Sequence, residues 1–295
     1  METVSKMAKL CVAAFWLCLL LAAPISAAVD PRIAIPADLS GLELTEGVAH
    51  EVSAMSVQAG DESMMLQARL TSGGGLINLP IRWKLSRMGF GGGVVAKGES
   101  AAFAAPARPG DYVVEIEYGF ARIVQEIELP ANEQLTVTFI LDVGGLRVLS
   151  KIDALTLPYG SAMTHAVYSA SGPSRGRLLT RATLPGELLR LPAGFYRIES
   201  KLGPGNATAE TEVEVKAGVL STVEIGHKAG VAQFTTPAAD TAWTVRDFTG
   251  RAVATVTEAI SELILQPGTY RVEQGVRSTA FTVEPGQSVG VVLPE

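Results

Sequence analysis

Cysteine is nearly absent from these 295 residues: the only two, Cys11 and Cys18, lie close to the N-terminus. A fold built on disulfides or thiolate metal ligands is therefore excluded for everything that follows. Strong charge of either sign is missing too, with 24 basic against 30 acidic residues and no charged block. Such a balance lacks the electrostatic footprint of a nucleic-acid binder. Aromatic residues make up 6% of the chain and there are three histidines, His50, His165 and His227, none spaced as a metal-ligand pair. After residue 23 there is no apolar run that reaches the ~20 residues a membrane helix requires.

The one long apolar run, Leu10 to Ala23, follows Lys6 and Lys9 and is closed by Pro24, Ser26, Ala27 and Ala28. A basic start, a short hydrophobic segment and small residues for the peptidase predict a cleaved signal peptide over residues 1–28. Neither cysteine in it has the small-residue context of a lipidation site. The expected mature chain is exported, without cysteine and without a transmembrane segment. An exported chain of this size that manages without disulfides predicts a bacterial envelope protein, periplasmic or extracellular.

What the sequence does have is glycine, proline and alternation. One phrase occurs three times: Arg108-Pro109-Gly110-Asp111-Tyr112-Val113-Val114-Glu115, Pro192-Ala193-Gly194-Phe195-Tyr196-Arg197-Ile198-Glu199, and Gln266-Pro267-Gly268-Thr269-Tyr270-Arg271-Val272-Glu273. Its tyrosines stand 84 and 74 residues apart. In each, a glycine turn feeds a strand with period-two alternation. Further alternating runs follow, such as Ile123–Leu129, Ala209–Val215 and Ala280–Val283, and others precede it around Trp83, His165 and Trp243. Alternation of apolar residues with Glu or Thr predicts strands with one buried and one wet face. Six or seven short strands in each repeat predict an all-β chain of tandem Ig-like or transthyretin-like β-sandwich modules behind the signal peptide.

The phrase, with its two following strands around a Gly or Pro turn, resembles the carboxypeptidase-regulatory-like and PEGA-type repeats of bacterial exported proteins. That resemblance implies prealbumin-like sandwiches, relatives of which serve in adhesins or bind starch, and it speaks for a fold far more than for an activity. The expected organisation is an N-terminal segment at 29–62 with no sustained period, then modules at 63–142, 143–228 and 229–295. Glycine-rich 143–146 and 229–232 mark the boundaries, too short to serve as loose linkers.

Catalytic signals are weak. Gly172-Pro173-Ser174-Arg175-Gly176 fits the hydrolase pattern G-x-S-x-G, but that chemistry needs a strand–elbow–helix, and a polar loop with no helix pattern surrounds it. His165 and His227 fall at strand ends, where surface positions are expected. Alternating Glu115/Glu117, Glu126/Glu128 and Glu210/Glu212/Glu214 read as solvated strand faces that discourage aggregation. Asn206-Ala207-Thr208 is formally a glycosylation sequon on a glycine-rich loop. Trp83 and Trp243 precede their module's tyrosine by 29 and 27 residues, a recurrence that predicts core positions. Phe90, between Gly89 and Gly91-Gly92-Gly93, is the side chain expected to be exposed for an interaction. Gly110, Tyr112, Gly194, Tyr196, Gly268, Tyr270, Trp83 and Trp243 are expected to be structural.

The sequence thus predicts a non-enzymatic binding or structural protein with no cofactor and no metal, whose partner is another envelope protein. A carbohydrate-binding protein is the alternative, and an enzyme with its site at a module interface a remote one.

Overall fold

In the computed structural model, residues 48–152, 163–235, 242–257 and 262–292 are described. The expected signal peptide and residues 29–47 lie outside them. The described chain is all-β, in tandem sandwiches.

The first sandwich holds β1 (His50–Ser56), β2 (Ser63–Arg69), β3 (Ile81–Arg87), β4 (Gly93–Ser100), β5 (Ala102–Pro106), β6 (Gly110–Tyr118), β7 (Ala121–Leu129) and β8 (Glu133–Ile140). One sheet runs β1-β8-β2-β5 and the other β4-β3-β6-β7. The second comprises β9 (Val143–Ile152), β10 (Met163–Ser169), β11 (Leu178–Thr183), β12 (Leu188–Pro192), β13 (Gly194–Leu202), β14 (Ala207–Val215) and β15 (Leu220–His227), in sheets β12-β9-β15 and β11-β10-β13-β14. The third comprises β16 (Gly230–Thr235), β17 (Trp243–Asp247), β18 (Ala252–Val256), β19 (Glu262–Leu265), β20 (Gly268–Gln274), β21 (Arg277–Val283) and β22 (Ser288–Val292), in sheets β19-β16-β22 and β18-β17-β20-β21.

The same two sheets are therefore built three times. In one sheet of each sandwich the first strand common to all three pairs parallel with the last: β2 with β8, β9 with β15, and β16 with β22. Between the sheets lies an apolar core drawn from both. Leu66, Trp83, Tyr112, Ile116, Val137 and Phe139 anchor the first, Leu146, Val148, Leu191, Tyr196 and Ile198 the second, and Phe234, Trp243, Leu263, Tyr270 and Phe281 the third. The alternation in the sequence is what aims these residues inward: β2 alternates buried with half-buried positions along its whole length.

The first sandwich carries an extra strand. Residues 50–56, in the stretch whose sequence has no sustained period, form β1 and pair antiparallel with β8 from His50↔Phe139 to Ser56↔Glu133. Apart from half-buried His50 its residues are exposed, so its side chains offered no hydrophobic period to read. Main-chain pairing holds it instead.

Candidate interaction surface

The repeated phrase builds a tied turn. The hydroxyls of Tyr112, Tyr196 and Tyr270 donate to the carbonyls of Arg108, Pro192 and Gln266, at 2.5, 2.7 and 2.8 Å, each four residues upstream. Each ring packs in its module's core while the hydroxyl satisfies a carbonyl where the chain swings from one sheet to the other. Burial pushes the Tyr196 hydroxyl up to about 12. Gly110, Gly194 and Gly268 open the following strand at φ 141, 154 and 156°, where a side chain would be strained.

Successive sandwiches interlock by one geometry used twice. At the first junction the tip of the β6–β7 hairpin meets β12. The Phe120 amide donates to the Arg190 carbonyl at 2.9 Å, and the Arg190 guanidinium lies 5.2 Å from the centre of the Tyr118 ring. The Ala193 amide closes back onto the Asp142 carbonyl at 2.7 Å. At the second junction the β13–β14 tip meets β19, the register equivalent of β12. There the Asn206 side chain accepts from the Gln266 amide at 3.1 Å and donates to the Tyr270 hydroxyl at 3.1 Å. Leu202, Ala207, Ala229, Val231 and Ile264 seal this contact as a small apolar cluster of their own. The sequon asparagine is thus a junction residue with both ends of its amide engaged. Gly144 and Gly230 are equivalent, and a Cβ on them would sit 2.2 and 2.5 Å from the carbonyls of Lys216 and Glu284, so only glycine lets the chain enter the next sandwich this closely.

A cleft of about 230 Å³ opens at the first junction, lined by Leu70, Leu79, Tyr118, Leu188, Arg190, Val219 and Leu220 together with Val143 and three glycines. Its walls are apolar, with only Tyr118 and Arg190 bearing ionisable groups, which is not the lining an acid–base site needs. Ser174 lies on the exposed β10–β11 turn, with no helix after it to form a nucleophile elbow.

The histidines correct the sequence reading. His165 and His227 are buried and meet on one serine: Ser200 Oγ stands 3.2 Å from His165 Nδ1, 2.8 Å from His227 Nε2 and 3.0 Å from Ser150 Oγ. Register explains it. Trp83 pairs with Ile116 four residues after Tyr112, and His165 pairs with Ser200 four residues after Tyr196. His165 therefore stands where the first sandwich has its tryptophan. By the same alignment Ser150, Ser200 and His227 replace Ala68, Ile116 and Leu141, all buried. Counting back from the repeated tyrosine does not reveal this, because His165 precedes Tyr196 by 31 residues against 29 and 27 for the tryptophans; only the strand register aligns them. A hydroxyl against an imidazole is the beginning of a nucleophile. Ser200, however, is 1% exposed in a core, and His227 Nδ1 has no partner to orient the ring. Burial lowers the affinity of both imidazoles for a proton, and for His165 the neighbouring His227 lowers it further.

A second correction concerns Glu115, read as solvated and in fact buried. Lys84 lies 2.5 Å and Arg122 2.8 Å from its two oxygens. Burial pushes its carboxyl up, but the hydrogen bonds and charges of these two cations outweigh that and hold it below the usual range.

Trp83 and Trp243 are both 2% exposed, and the Trp83 indole donates to the Ser100 carbonyl at 3.0 Å. Phe90 lies at the other extreme, at 104% on the β3–β4 turn. The corresponding β17–β18 turn exposes Phe248 at 85%, a residue that sequence reasoning passed over because no glycines flank it. Two sandwiches thus present a bare aromatic ring on the same hairpin turn.

No protein-family model matches the chain, and no curated protein matches its sequence. Among solved structures it is similar to the Bacillus anthracis TIE protein, at 14% identity over 78% of this chain and 50% of that one, with a TM-score of 0.24. It is also similar to a streptococcal ancillary pilin, at 12% identity over 79% and 99% of the two chains, with a TM-score of 0.29. For the pilus adhesin SpaC of Lactobacillus rhamnosus GG the values are 13%, 81% and 44%, with a TM-score of 0.25. The chain spans half the length of the first of these. At such TM-scores the likeness carries no weight for function.

Proposed function

We propose that this is an exported, non-catalytic structural or binding protein of the bacterial envelope that works by protein–protein contact, its sandwiches being repeats of the carboxypeptidase-regulatory-like or PEGA type. One observation carries the reading: Phe90 and Phe248 are exposed on equivalent hairpin turns while the tryptophans of those two sandwiches, Trp83 and Trp243, are buried. Exposed rings on a rigid β-scaffold are contact points, because desolvating them is favourable and costs little conformational entropy. The interlocked junctions support a spacer that holds those points at fixed separation. A glycan ligand is the alternative, and it would have to stack on Phe90 or Phe248, since both tryptophans are inside.

Cross-linking of the tagged protein in cells, followed by envelope fractionation, tests this. A stoichiometric protein partner is expected, lost in Phe90→Ser or Phe248→Ser variants that melt like the parent. Recovery without protein partners would sink the reading and bring glycans forward.

A further inference from the structure

The sheet edges of the three sandwiches are guarded unequally. An unpaired edge is a template for another strand, and proteins blunt it with charge, proline or a break in register. Among the described residues β5 and β12 end in proline, and β7, β14, β15, β19 and β21 carry charged side chains. Register shifts interrupt the pairing of β4, β11 and β18. The edge strand β22, Ser288-Val289-Gly290-Val291-Val292, has none of these, and Val292 on it is 73% exposed.

Its position makes the gap informative. Strands β8, β15 and β22 are equivalent, each the parallel neighbour of its sandwich's first core strand. The first is covered by β1, and the second bears Glu224 in mid-strand. Among the described residues only the third is bare. Strand β1 is the edge that suits it: its pairing with β8 has no register shift, Val52 and Met55 are exposed, and it carries a single charge, Glu51, next to its end. We infer that β22 is a docking edge for a second copy of this chain, whose β1 lies along it with its outer edge and continues the sheet from one molecule to the next. Two edges without opposing charges meet, main-chain bonds supply the affinity, and Val52, Met55 and Val292 gain cover. Because β1 and β22 belong to different sandwiches the contact is heterologous, so copies add head to tail. The inference rests on the contact-protein reading and names one partner for it.

The test is the mass of the full chain by sedimentation velocity over a wide concentration range. The parent is expected to grow to twice the single-chain mass and beyond. Gly290→Lys, at a site where an added Cβ meets no atom within 4 Å, and Val52→Lys should each remain single chains with unchanged melting. Mixed together, they should form a one-to-one dimer and stop, since each retains one good edge. Val292→Lys repeats the test should Gly290→Lys fail to fold. A parent that stays monomeric at every concentration overturns the inference, as does association that survives both lysines or that Val52→Lys leaves intact. In each of those cases a heterologous partner held by Phe90 and Phe248 would still be captured by cross-linking, so the two readings fail separately.

Discussion

Acid should loosen the second sandwich and spare its neighbours. His165 and His227 are buried, and their outer nitrogens, His165 Nε2 and His227 Nδ1, have no hydrogen-bond partner. Protonating either ring would place a charge and an unmatched N–H in that core. Their folded proton affinities are lowered, so the unfolded chain, titrating near pH 6.5, takes up protons first. The sign follows: the contribution is fully present above about pH 6.5 and is lost as pH falls through that value toward the folded ones. A ring that stayed neutral throughout would remove about 2 kcal/mol between about pH 7.5 and pH 5, which sets the ceiling for the pair at about 4 kcal/mol. That is a large share of a domain's stability, typically about 5–15 kcal/mol. Amide hydrogen exchange, corrected for its intrinsic pH dependence, reads this strand by strand. Protection in β10, β13 and β15 should drop by up to about 1,000-fold relative to the cores of the first and third sandwiches. Ser150→Ala, His165→Trp, Ser200→Ile and His227→Leu together, which install the residues of the first sandwich, should abolish the difference. Equal pH dependence in all three sandwiches would refute the reasoning.

Other perturbations have defined outcomes. Tyr112→Phe or Tyr270→Phe removes the bond that satisfies the carbonyl four residues upstream and should cost about 1 kcal/mol in denaturant unfolding. Glu115→Ala leaves Lys84 and Arg122 facing each other without their shared carboxylate and should cost about 1–2 kcal/mol near neutral pH. In the parent that contribution is present above the ordinary carboxylate range and lost as pH falls through the depressed folded value, a trend that the variant's denaturation curves should lack. Gly205→Val places a side chain where a Cβ alone would be 2.2 Å from the Ile264 carbonyl. It should open the second junction, seen as a change in small-angle scattering, while each sandwich melts as before.

The all-β architecture was readable because its cause is local. Alternation in segments such as Ile123–Leu129 and the glycine turn before each tyrosine are written in neighbouring residues, and tertiary packing only had to agree with them. What escaped the reading depends on pairing across the chain. Strand β1 is held by its backbone, so its side chains give no periodic signal. Glu115 looked like surface because its two covering cations, Lys84 and Arg122, come from neighbouring strands. His165 looked like a strand end because Ser200 and His227 reach it only once both sheets are in place. The exposure of Phe90 was legible from the glycines around it, whereas that of Phe248 follows only from the equivalence of the two hairpins.

The parallel pairing of first and last strands also determines how tension would travel. The chain enters the second and third sandwiches at the start of β9 and β16, reaches β2 in the first after β1, and in each leaves from the end of the adjacent parallel strand. Pulling the ends apart therefore slides the two strands along each other, loading all their hydrogen bonds at once instead of opening them one by one. The pairing runs Leu220–His227 against β9, Gln134–Ile140 against β2 and Ser288–Val292 against β16. Under load the middle sandwich is the strongest link and the third yields first, while β1, antiparallel to β8 and pulled from the same end, peels away like a zip before any core is breached.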